Sequence, residues 1–319
     1  MMNYKSLVSI IIINWNRKTD LENCLALVFQ QDYKNKEIIV VDNNSSDGSV
    51  EMIQKKFPSV IILANKENLG ACVAKNNGIK ISKGEYVWFL DNDSFAFNKK
   101  TLSSMVSLSL KLKKIGAIGG EAWIEGGLVK GTKKRKLLPN GESIHLKIYK
   151  NNNFIEGDYL STANFFVKKN LLNSVGGFNP IYFYLYEDTD ISFKIKRKGL
   201  KLISSRETLI NHAESKDTSR ITNFFRINKN RIIFVFLNFN LFYFSILPIL
   251  DLLFLFDPRK FLILKEKSSV GSSKSRDFLM NLIRFGSNYF KSILLAYSWV
   301  LFNFWKLVPL RRVYFGNNF

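Results

Sequence analysis

Cysteine and histidine are scarce in this chain of 319 residues, which contains two of each. Neither Cys24 nor Cys72 stands in a Cys-x-x-Cys pair, so the sequence argues against a structural zinc site. Both cysteines fall in apolar or helical contexts. We therefore expect them to be small, buried residues that stay reduced on the cytosolic side.

Two nucleotide-binding motifs are also absent. No Gly-x-Gly-x-x-Gly follows the first predicted strand, where Asn14-Trp15-Asn16-Arg17 stands instead, and no Walker A sequence occurs in the chain. These absences argue against a dinucleotide oxidoreductase and against a P-loop enzyme. A secretory signal is not expected, because the apolar run at residues 7–13 is short and lacks a cleavage site.

Acidic residues are outnumbered, since 47 Lys and Arg face 26 Asp and Glu, for a net charge of +21. Residues 1–190 hold 25 basic and 19 acidic residues (+6), whereas residues 191–319 hold 22 and 7 (+15). A basic surface attracts nucleic acid, anionic lipid or phosphorylated substrates. A nucleic-acid partner is not expected, because the acidic residues at the predicted strand ends would repel phosphate.

Short apolar runs alternate with segments of helical spacing in the first part of the chain. The mostly β-branched run at residues 7–13 suits a strand that is buried on both faces, as in a parallel sheet. The alternation predicts a doubly wound α/β sheet, in which ligands bind beyond the carboxyl ends of the strands. The predicted strands are 7–13, 37–41, 60–64, 86–90 and 161–167, and the predicted helices are 20–31, 50–57, 69–81 and 187–198. Residues 116–160 are predicted to be less regular, with a Gly- and Lys-rich, exposed stretch at 130–136.

Clusters rich in Asp and Asn follow three of the predicted strands directly, at residues 14–17, 42–49 and 91–93. Because the carboxyl ends of parallel strands lie at one edge of a sheet, these clusters form one candidate site. Asp91-Asn92-Asp93 carries two carboxylates that can hold a hard divalent cation, such as Mg²⁺ or Mn²⁺, together with a ribose or phosphate oxygen. Alone this pattern is weak, since Asp and Asn are common in turns.

Asp42 and the segment Asn68-Leu69-Gly70 are candidates for contacts with a nucleotide. A carboxylate at the end of a buried strand, such as Asp42, can accept the N3–H of a uracil or thymine base. Its alternative role is to cap the next helix, although Ser46 and Asp47 lie closer to that helix. Gly70 permits close backbone approach at a helix N-terminus, which favours anions, although a plain turn explains the segment equally well.

Further candidates lie in the second half of the chain. Glu187-Asp188 follows an aromatic run at residues 182–186. A carboxylate held among aromatic side chains tends to have a raised pKa, which suits a general base, whereas the alternative is a favourable charge at a helix N-terminus. His212 is a candidate metal ligand, with a structural role as its alternative, and His145 has no supporting context.

The C-terminal third differs in composition from the rest of the chain. Residues 232–250 form a run of nineteen without a charge, which reaches the lower edge of transmembrane length. A second apolar segment, 278–308, is interrupted by Arg284, Lys291 and Lys306. Aromatic stretches with regularly placed basic residues favour helices that lie in a membrane interface. A true span at 232–250 and soluble helical packing are the alternatives.

The order of these motifs resembles that of the inverting glycosyltransferase family 2, and within it the chain is most similar to the rhamnosyltransferase-like branch. The motifs that carry the resemblance are SIIIINWN at 9–16, VVDNNSSDGS at 40–49, NLG at 68–70, NNGI at 76–79, DND at 91–93, GF at 177–178 and EDTD at 187–190. Each motif is weak alone, but their order and gaps together are specific. The resemblance covers about residues 7–215 and implies the GT-A fold, in which a nucleotide-binding α/β sheet is fused to an acceptor-binding half.

The resemblance also implies roles for individual residues. The donor-nucleotide residues are Asn14, Asp42, Asn68, Gly70 and Asp91; the metal ligands are Asp93 and His212; the catalytic base is Asp188; and the acceptor-side residues are Glu187 and Asp190. Asp42 is expected at the nucleobase and Asp91 near the ribose or the metal. His212 matches a late histidine that helps to hold the metal in some members. Asp190 is the second candidate for the base, but in a helix its side chain would diverge from that of Asp188 by about 200°.

We therefore expect an inverting glycosyltransferase that uses a nucleoside-diphosphate sugar, such as dTDP-rhamnose or a UDP-sugar, and a Mg²⁺ or Mn²⁺ ion. Its acceptor is expected to be a glycan or lipid-linked saccharide in cell-surface polysaccharide synthesis. The expected domains are a GT-A domain at 1–221, with its donor half ending near residue 115, and a helical segment at 222–319. That basic, aromatic segment is expected to bind an anionic membrane peripherally at its cytoplasmic face. The alternatives are a non-catalytic, membrane-associated nucleotide-sugar-binding protein and another nucleotidyl-sugar enzyme.

Overall fold

The computed structural model describes residues 6–96, 99–125, 128–148, 154–212, 224–255 and 290–315. The chain divides into two units, each with its own internal contacts. One consists of Met1–Lys136 with Ile144–Glu214, and the other of Leu137–Ser143 with Ser215–Phe319. The domain boundary predicted at residues 221–222 falls outside the described residues.

An eight-stranded sheet forms the centre of the first unit. The described strands are β1 Val8–Asn14, β2 Lys36–Asp42, β3 Ile61–Ala64, β4 Tyr86–Asp91, β5 Ser94–Ala96, β6 Ile115–Gly119, β7 Ala122–Glu125, β8 Leu128–Leu137, β9 Ser143–Ile148, β10 Ile155–Glu156, β11 Asn164–Lys168, β12 Lys201–Ser204 and β13 Ile210–His212. The central sheet has the order β10-β12-β6-β11-β4-β1-β2-β3. It is mostly parallel, with β11 antiparallel to both of its neighbours and β10 antiparallel to β12. The predicted α/β fold class is therefore confirmed.

Helices pack on this sheet because their apolar residues recur at spacings of three and four. The helices of the first unit are α1 Lys18–Phe29, α2 Ser49–Lys56, α3 Gly70–Ile81, α4 Thr101–Lys111, α5 Lys169–Ser174 and α6 Glu187–Lys196, with 3₁₀ turns at Pro180–Tyr182 and Arg206–Thr208. Every predicted strand and helix of this unit is present within three residues of its predicted ends. Cys24 and Cys72 are buried and unpaired, as expected. Gly78 lets α3 approach the sheet closely, because a Cβ there would lie 2.6 Å from the side chain of Ile11.

The region 116–160, which was predicted to be less regular, contains strands β6 to β10, so that prediction is wrong. Strands β7, β8 and β9 form a small separate sheet, and the stretch 130–136 lies within β8. Its residues are Lys-rich and lack an apolar alternation, so the sequence carries no strand signal there. Antiparallel pairing satisfies the backbone of β8 without a hydrophobic face, which explains why a polar segment forms a strand.

The second unit is built from helices. Its described helices are α7 Phe224–Asn238, α8 Leu241–Leu255, α9 Phe290–Phe302 and α10 Phe304–Phe315. Residues 232–237 are buried, and the neighbouring Arg231 is fully buried as well. Both Arg231 Nη atoms donate to the Asp251 carboxylate at 2.7 Å, and Nη1 also donates to the carbonyl of Asn140. This bidentate pair compensates a charge that would otherwise be costly to bury.

The uncharged run at 232–250 is not one helix. It is divided between α7 and α8, and the Asn240 side chain accepts from the backbone N–H of Tyr243 at 2.7 Å, as a residue at a helix start does. Among the described residues, no single helix is long and apolar enough to cross a membrane, and only α9 with α10, bent by 80°, meets that test as a pair. Residues 278–289 of the second apolar segment, with Arg284, lie outside the described residues.

Candidate active site

Polar side chains from three strand ends meet at one edge of the central sheet. Asn14 of β1 lies opposite Asp42 of β2 in the ladder, and Ile13 lies opposite Asp91 of β4. Asn14 Nδ2 donates to Asp42 Oδ1 at 2.9 Å, and Asn14 Oδ1 accepts from Asn92 Nδ2 at 2.8 Å. The structure therefore brings together the three clusters that the sequence placed at this edge.

Asp42 is buried and held in one orientation. Its carboxylate accepts from the backbone N–H of Ser45 at 2.8 Å and from the Ser45 hydroxyl at 2.6 Å, in addition to Asn14. Asp47, and not Asp42, contacts the start of α2, where its Oδ1 accepts from the N–H of Ser49 at 3.0 Å. Asp42 is thus a carboxylate fixed by neutral donors at the end of β2, rather than a helix cap.

Gly70 stands where the start of α3 meets the aromatic loop before α6. Its φ is +78°, and a Cβ there would lie 2.5 Å from the Phe183 ring. Asn68 Oδ1 accepts from the Gly70 N–H at 2.9 Å, and the Phe183 carbonyl accepts from the N–H of Cys72 at 3.2 Å. Phe183, Leu185 and Tyr186 all have positive φ, a conformation that non-glycine residues seldom adopt. This strained loop leads directly into α6, which begins at Glu187.

Asp93 is nearly fully buried at the end of β4 and is paired with a cation. Arg17 Nη1 donates to Asp93 Oδ2 at 2.9 Å and to Asp20 Oδ2 at 3.1 Å. Asp91, two residues earlier, is partly exposed. A buried carboxylate at this position requires a positive partner, because burial of an uncompensated charge is costly.

The residues at this strand end fit a hard divalent cation. Asp91 and Asp93 supply the carboxylate oxygens that Mg²⁺ and Mn²⁺ prefer. The backbone of His212 pairs with that of Ser94, so β13 runs beside the residue that follows Asp93. Within the described side chains, no group of three His, Cys, Asp or Glu residues is already gathered around one point.

The Asp190 carboxylate is buried and contacts Tyr182 and Lys194. Its Oδ1 accepts from the Tyr182 hydroxyl at 3.1 Å, and its Oδ2 lies 3.2 Å from Lys194 Nζ. The side chain is almost completely buried. Asp188, two residues earlier on α6, makes neither contact, and so the two carboxylates diverge as helix geometry requires.

Glu187 and Lys75 form a buried ion pair between α6 and α3. Lys75 Nζ lies 3.1 Å from Glu187 Oε1 and donates to the Thr162 hydroxyl at 2.6 Å. Burial alone would lower the pKa of the Lys75 ammonium, but Glu187 and Asp91 outweigh that effect and raise it. Among the described residues, none donates a hydrogen bond to Glu187 Oε2, which is buried. The Lys75 ammonium is attracted electrostatically by both Glu187 and Asp91. It therefore couples the charge at the start of α6 to the charge at the edge of the sheet.

Asp188 has the electrostatic character of a base. Desolvation, and after it the charge of Glu187, raise the pKa of its carboxyl, whereas Arg135 and Lys75 oppose the rise; the resulting pKa is about 6. The Thr189 N–H donates to Asp188 Oδ1 at 2.7 Å. The side chain remains partly exposed. A carboxylate with a pKa near 6 is mostly ionised at neutral pH and still accepts a proton readily.

The sequence did not identify Lys75 or Arg135 as site residues, and it included Arg17 only as a member of the cluster at 14–17. A signal for Lys75 was present, because it occupies a helical stripe with Cys72 and Ile79, which are both buried on α3. A lysine in an apolar stripe indicates a buried charge that needs a partner. No comparable local signal exists for Arg135, whose contacts come from residues 14 and 24 positions away.

Comparison with known proteins identifies relatives of the first unit. Residues 9–188, more than half of the chain, match the family model described as Glycosyl transferase family 2. The chain is 40% identical over 90 residues to the UDP-Glc:alpha-D-GlcNAc-diphosphoundecaprenol beta-1,3-glucosyltransferase WfaP of Escherichia coli, with 28% of this chain and 36% of the relative covered. It is 38% identical over 92 residues to glycosyltransferase GlyG of Streptococcus pneumoniae, with 27% of this chain and 30% of the relative covered. The matches thus span about a third of each relative.

The fold is shared with a solved structure over most of the chain. The mannosyltransferase PcManGT from Pyrobaculum calidifontis, in complex with GDP-Man and Mn²⁺, superposes with a TM-score of 0.59 at 16% identity. The similarity covers 94% of this chain and 88% of that one. At this level of identity the likeness concerns the fold.

Proposed function

The chain belongs to glycosyl transferase family 2, and we propose on this premise that it moves a sugar from a nucleoside diphosphate to an acceptor hydroxyl in a single inverting displacement. The observation that carries the proposal is the carboxyl of Asp188, with its pKa raised to about 6, beside a buried Lys75–Glu187 pair that also experiences Asp91. In this mechanism Asp188 takes the proton of the acceptor hydroxyl as its oxygen attacks the anomeric carbon. The bond from that carbon to the diphosphate breaks, and one displacement inverts the configuration.

The donor nucleotide is assigned to the edge of the sheet. Asp42, held by Asn14 and Ser45, accepts the N3–H of a uracil or thymine base, and Asp91 lies by the ribose or the metal. Asn68 and Gly70 face the nucleotide at the N-terminus of α3, where backbone N–H groups favour anions. Because Asp42 is already fixed by neutral donors, it loses little conformational freedom when the base binds.

Asp93 and Asp91 would hold a Mg²⁺ or Mn²⁺ ion, and His212, whose side chain lies outside the described side chains, is the third proposed ligand. When bound, such an ion neutralises the charge that builds on the diphosphate leaving group. Arg17 supplies the positive charge that Asp93 requires in this structure, and a bound ion would supply that charge in its place. The presence of Mn²⁺ in the structure of PcManGT supports this role without choosing between the two metals.

The donor sugar and the acceptor are proposed more broadly. A UDP-sugar or dTDP-rhamnose is compatible with a carboxylate at Asp42, and the choice of dTDP-rhamnose rests on the rhamnosyltransferase-like pattern of the sequence motifs alone. The name of WfaP describes a UDP-glucose donor and a saccharide carried on a lipid diphosphate. We assign to this chain an acceptor of the same class, a glycan or lipid-linked saccharide in cell-surface polysaccharide synthesis.

A peripheral position at the cytoplasmic face of the membrane fits that acceptor. In the second unit, several large apolar side chains are mainly exposed: Phe302 at 88%, Trp305 at 83%, Val313 at 81% and Phe242 at 73%. Exposed apolar surface of this kind marks an interaction site. The +15 charge after residue 190 would add attraction to anionic lipid.

A donor-hydrolysis screen of the purified protein tests the proposal. Nucleotide sugars are incubated with and without Mn²⁺, and release of the nucleoside diphosphate is measured. Metal-dependent release from a small set of donors is expected. Binding of a nucleotide sugar without any turnover, even with acceptor extracts, would instead support a non-catalytic binding protein.

A further inference from the structure

Phe183 lies in a backbone conformation that bulky residues rarely adopt. Its φ and ψ are 63° and −63°, and the N–H of Tyr184 donates to the carbonyl of Tyr182 at 2.7 Å. These values define a γ-turn of the rare, strained form that has a positive φ at its centre. Glycine would adopt this turn at no steric cost. Strain of this kind clusters at active sites and ligand contacts, so a phenylalanine here points to a use for its ring.

Two anchors on α3 hold this turn in place. The backbone N–H of Cys72 donates to the Phe183 carbonyl at 3.2 Å. Earlier in the same segment, the Asn76 side chain donates to the Phe178 carbonyl at 2.7 Å and accepts from the Phe178 N–H at 2.9 Å. A strained turn persists only where the surrounding structure determines it, and these contacts with one helix do so.

The turn places the Phe183 ring on the backbone of Gly70, where α3 begins. A Cβ at Gly70 would lie between 2.5 and 2.8 Å from three atoms of the ring, so the ring occupies the space that a side chain would need. Phe183 nevertheless remains 37% exposed, and its neighbours therefore cover only part of it. The exposed part is apolar surface beside the helix start that is assigned to the donor.

Phe183 connects the donor side of the proposed site to its acceptor side. Gly70, under the ring, is assigned to the donor nucleotide, and its carbonyl accepts from the Asn43 amide at the end of β2. In the other direction, the loop continues from Phe183 into α6, whose first turn carries Asp188. In a single displacement, the transferred sugar is the group that touches both the diphosphate and the acceptor. The ring therefore matches the sugar better than the nucleobase, which is assigned to Asp42.

We propose that the Phe183 ring is a platform for the apolar face of the transferred sugar and so contributes to the choice of donor. The inference rests on the proposed function, since it takes Gly70 as a donor residue and Asp188 as the base. The face of an aromatic ring carries partial negative charge, and the C–H groups on one face of a pyranose carry partial positive charge, so the two attract each other. Only the sugar makes this contact, and the free nucleoside diphosphate gains nothing from it.

The experiment measures how much the sugar adds to nucleotide binding. The full chain is titrated calorimetrically, in the cold and with Mn²⁺, with UDP, UDP-glucose, UDP-galactose, dTDP and dTDP-rhamnose. The readout is the ratio of the dissociation constant of each free nucleotide to that of its sugar nucleotide. Phe183→Gly removes the ring and suits the positive φ, so the turn should be kept. We expect this variant to lower the highest ratio by about three- to tenfold, while its affinities for UDP and dTDP stay within about twofold of the parent.

Two further variants serve as controls. Phe183→Tyr keeps an aromatic ring in the turn and should keep the ratio of the parent. Phe29→Gly removes a phenylalanine of similar exposure, 41%, which stacks on Phe57 and ends α1. Because Phe29 belongs to neither side of the proposed site, Phe29→Gly should bind every ligand as the parent does.

Several results would overturn the inference. If the parent binds none of the sugar nucleotides more tightly than the free nucleotide, the sugar makes no such contact. An equal loss for UDP and for its sugar nucleotides in Phe183→Gly would place the ring at the nucleotide instead. Unchanged ratios in Phe183→Gly, or an equal change in Phe29→Gly, would show that the Phe183 ring only packs on Gly70. The proposed function is tested separately, because donor hydrolysis by the parent does not depend on how the variants differ in binding.

Discussion

Replacement of Asp188 by Asn should stabilise the fold at neutral pH while it abolishes transfer. The pKa of this carboxyl is about 6 in the folded chain, against an ordinary value of 3.8. The folded state therefore binds the proton more tightly than the unfolded state between these values, and stability falls as the pH rises through that window. This difference in pKa corresponds to ~3 kcal/mol of destabilisation above pH 6 and to about half of that at pH 5.

Asparagine removes this cost because it has no charge to desolvate or to repel Glu187. Its Oδ1 can still accept the hydrogen bond from the Thr189 N–H, which is 2.7 Å long in the parent. We expect Asp188→Asn to gain roughly 1–3 kcal/mol in the free energy of unfolding at pH 7.5, with a smaller gain at pH 5. Urea unfolding at both pH values measures the gain, and donor-dependent transfer should fall by ~10²–10⁴-fold.

Asp190→Asn is the matched control on the same helix. It removes a carboxylate that is paired with Lys194 and Tyr182, so it should lose about 3 kcal/mol of stability at both pH values. The reasoning is refuted if Asp188→Asn is less stable than the parent at pH 7.5, or if its gain does not shrink at pH 5. Full transfer by Asp188→Asn together with an inactive, folded Asp190→Asn would move the base by two residues.

Four further predictions concern other parts of the chain. Asp93→Asn should keep the fold but lose metal-dependent donor hydrolysis, and EDTA should inactivate the parent. Lys75→Met removes a charge that lowers the pKa of Asp188, so the acidic limb of the pH–rate profile should move to higher pH, and added Glu187→Gln should partly restore stability. Gly70→Ala should destabilise the first unit by at least ~1 kcal/mol in urea unfolding, because φ is +78° and the Phe183 ring blocks a Cβ. Trp305→Ser should weaken sedimentation with vesicles of anionic lipid, and high salt should weaken it further.

Each of these predictions has a result that contradicts it. Normal turnover of Asp93→Asn in EDTA would remove the metal role. An unmoved acidic limb in Lys75→Met would show that Lys75 acts only on stability. Unchanged unfolding of Gly70→Ala would mean that Phe183 moves aside at little cost. Equal vesicle binding by Trp305→Ser and by the parent would exclude Trp305 as a membrane contact.

Much of the donor edge could be predicted from the sequence because its information is local. A β-branched run indicates a buried strand, and the polar residue that follows it, Asn14 or Asp42, indicates where the strand ends. Parallel pairing then places the carboxyl ends of these strands side by side, so the polar residues at those ends lie close together. The separation of Asp188 from Asp190 was equally predictable, because 3.6 residues per turn places them on different sides of α6.

Other features depended on contacts between distant parts of the chain. The Lys-rich strand β8 has no alternation of apolar and polar residues. It forms a strand because the neighbouring strands β7 and β9 pair with it. The break between α7 and α8 falls at residues 239–240, beside Asn238 and Asn240. A composition average over nineteen uncharged residues does not reveal these two amides. In such segments the backbone conformation is set by partners, not by the intrinsic preference of the residues.

By itself, the sequence of this protein determined the α/β class, the strand ends with Asp42, Asp91 and Asp93, and the acidic start of α6, since each rests on neighbours within a few residues. Only the tertiary structure decided that Lys75 joins Glu187 across 112 positions and that Arg135 lies by Asp188. Those pairings set the pKa of the proposed base. Electrostatic energies depend on distance and burial in the folded chain, and a linear pattern of residues specifies neither.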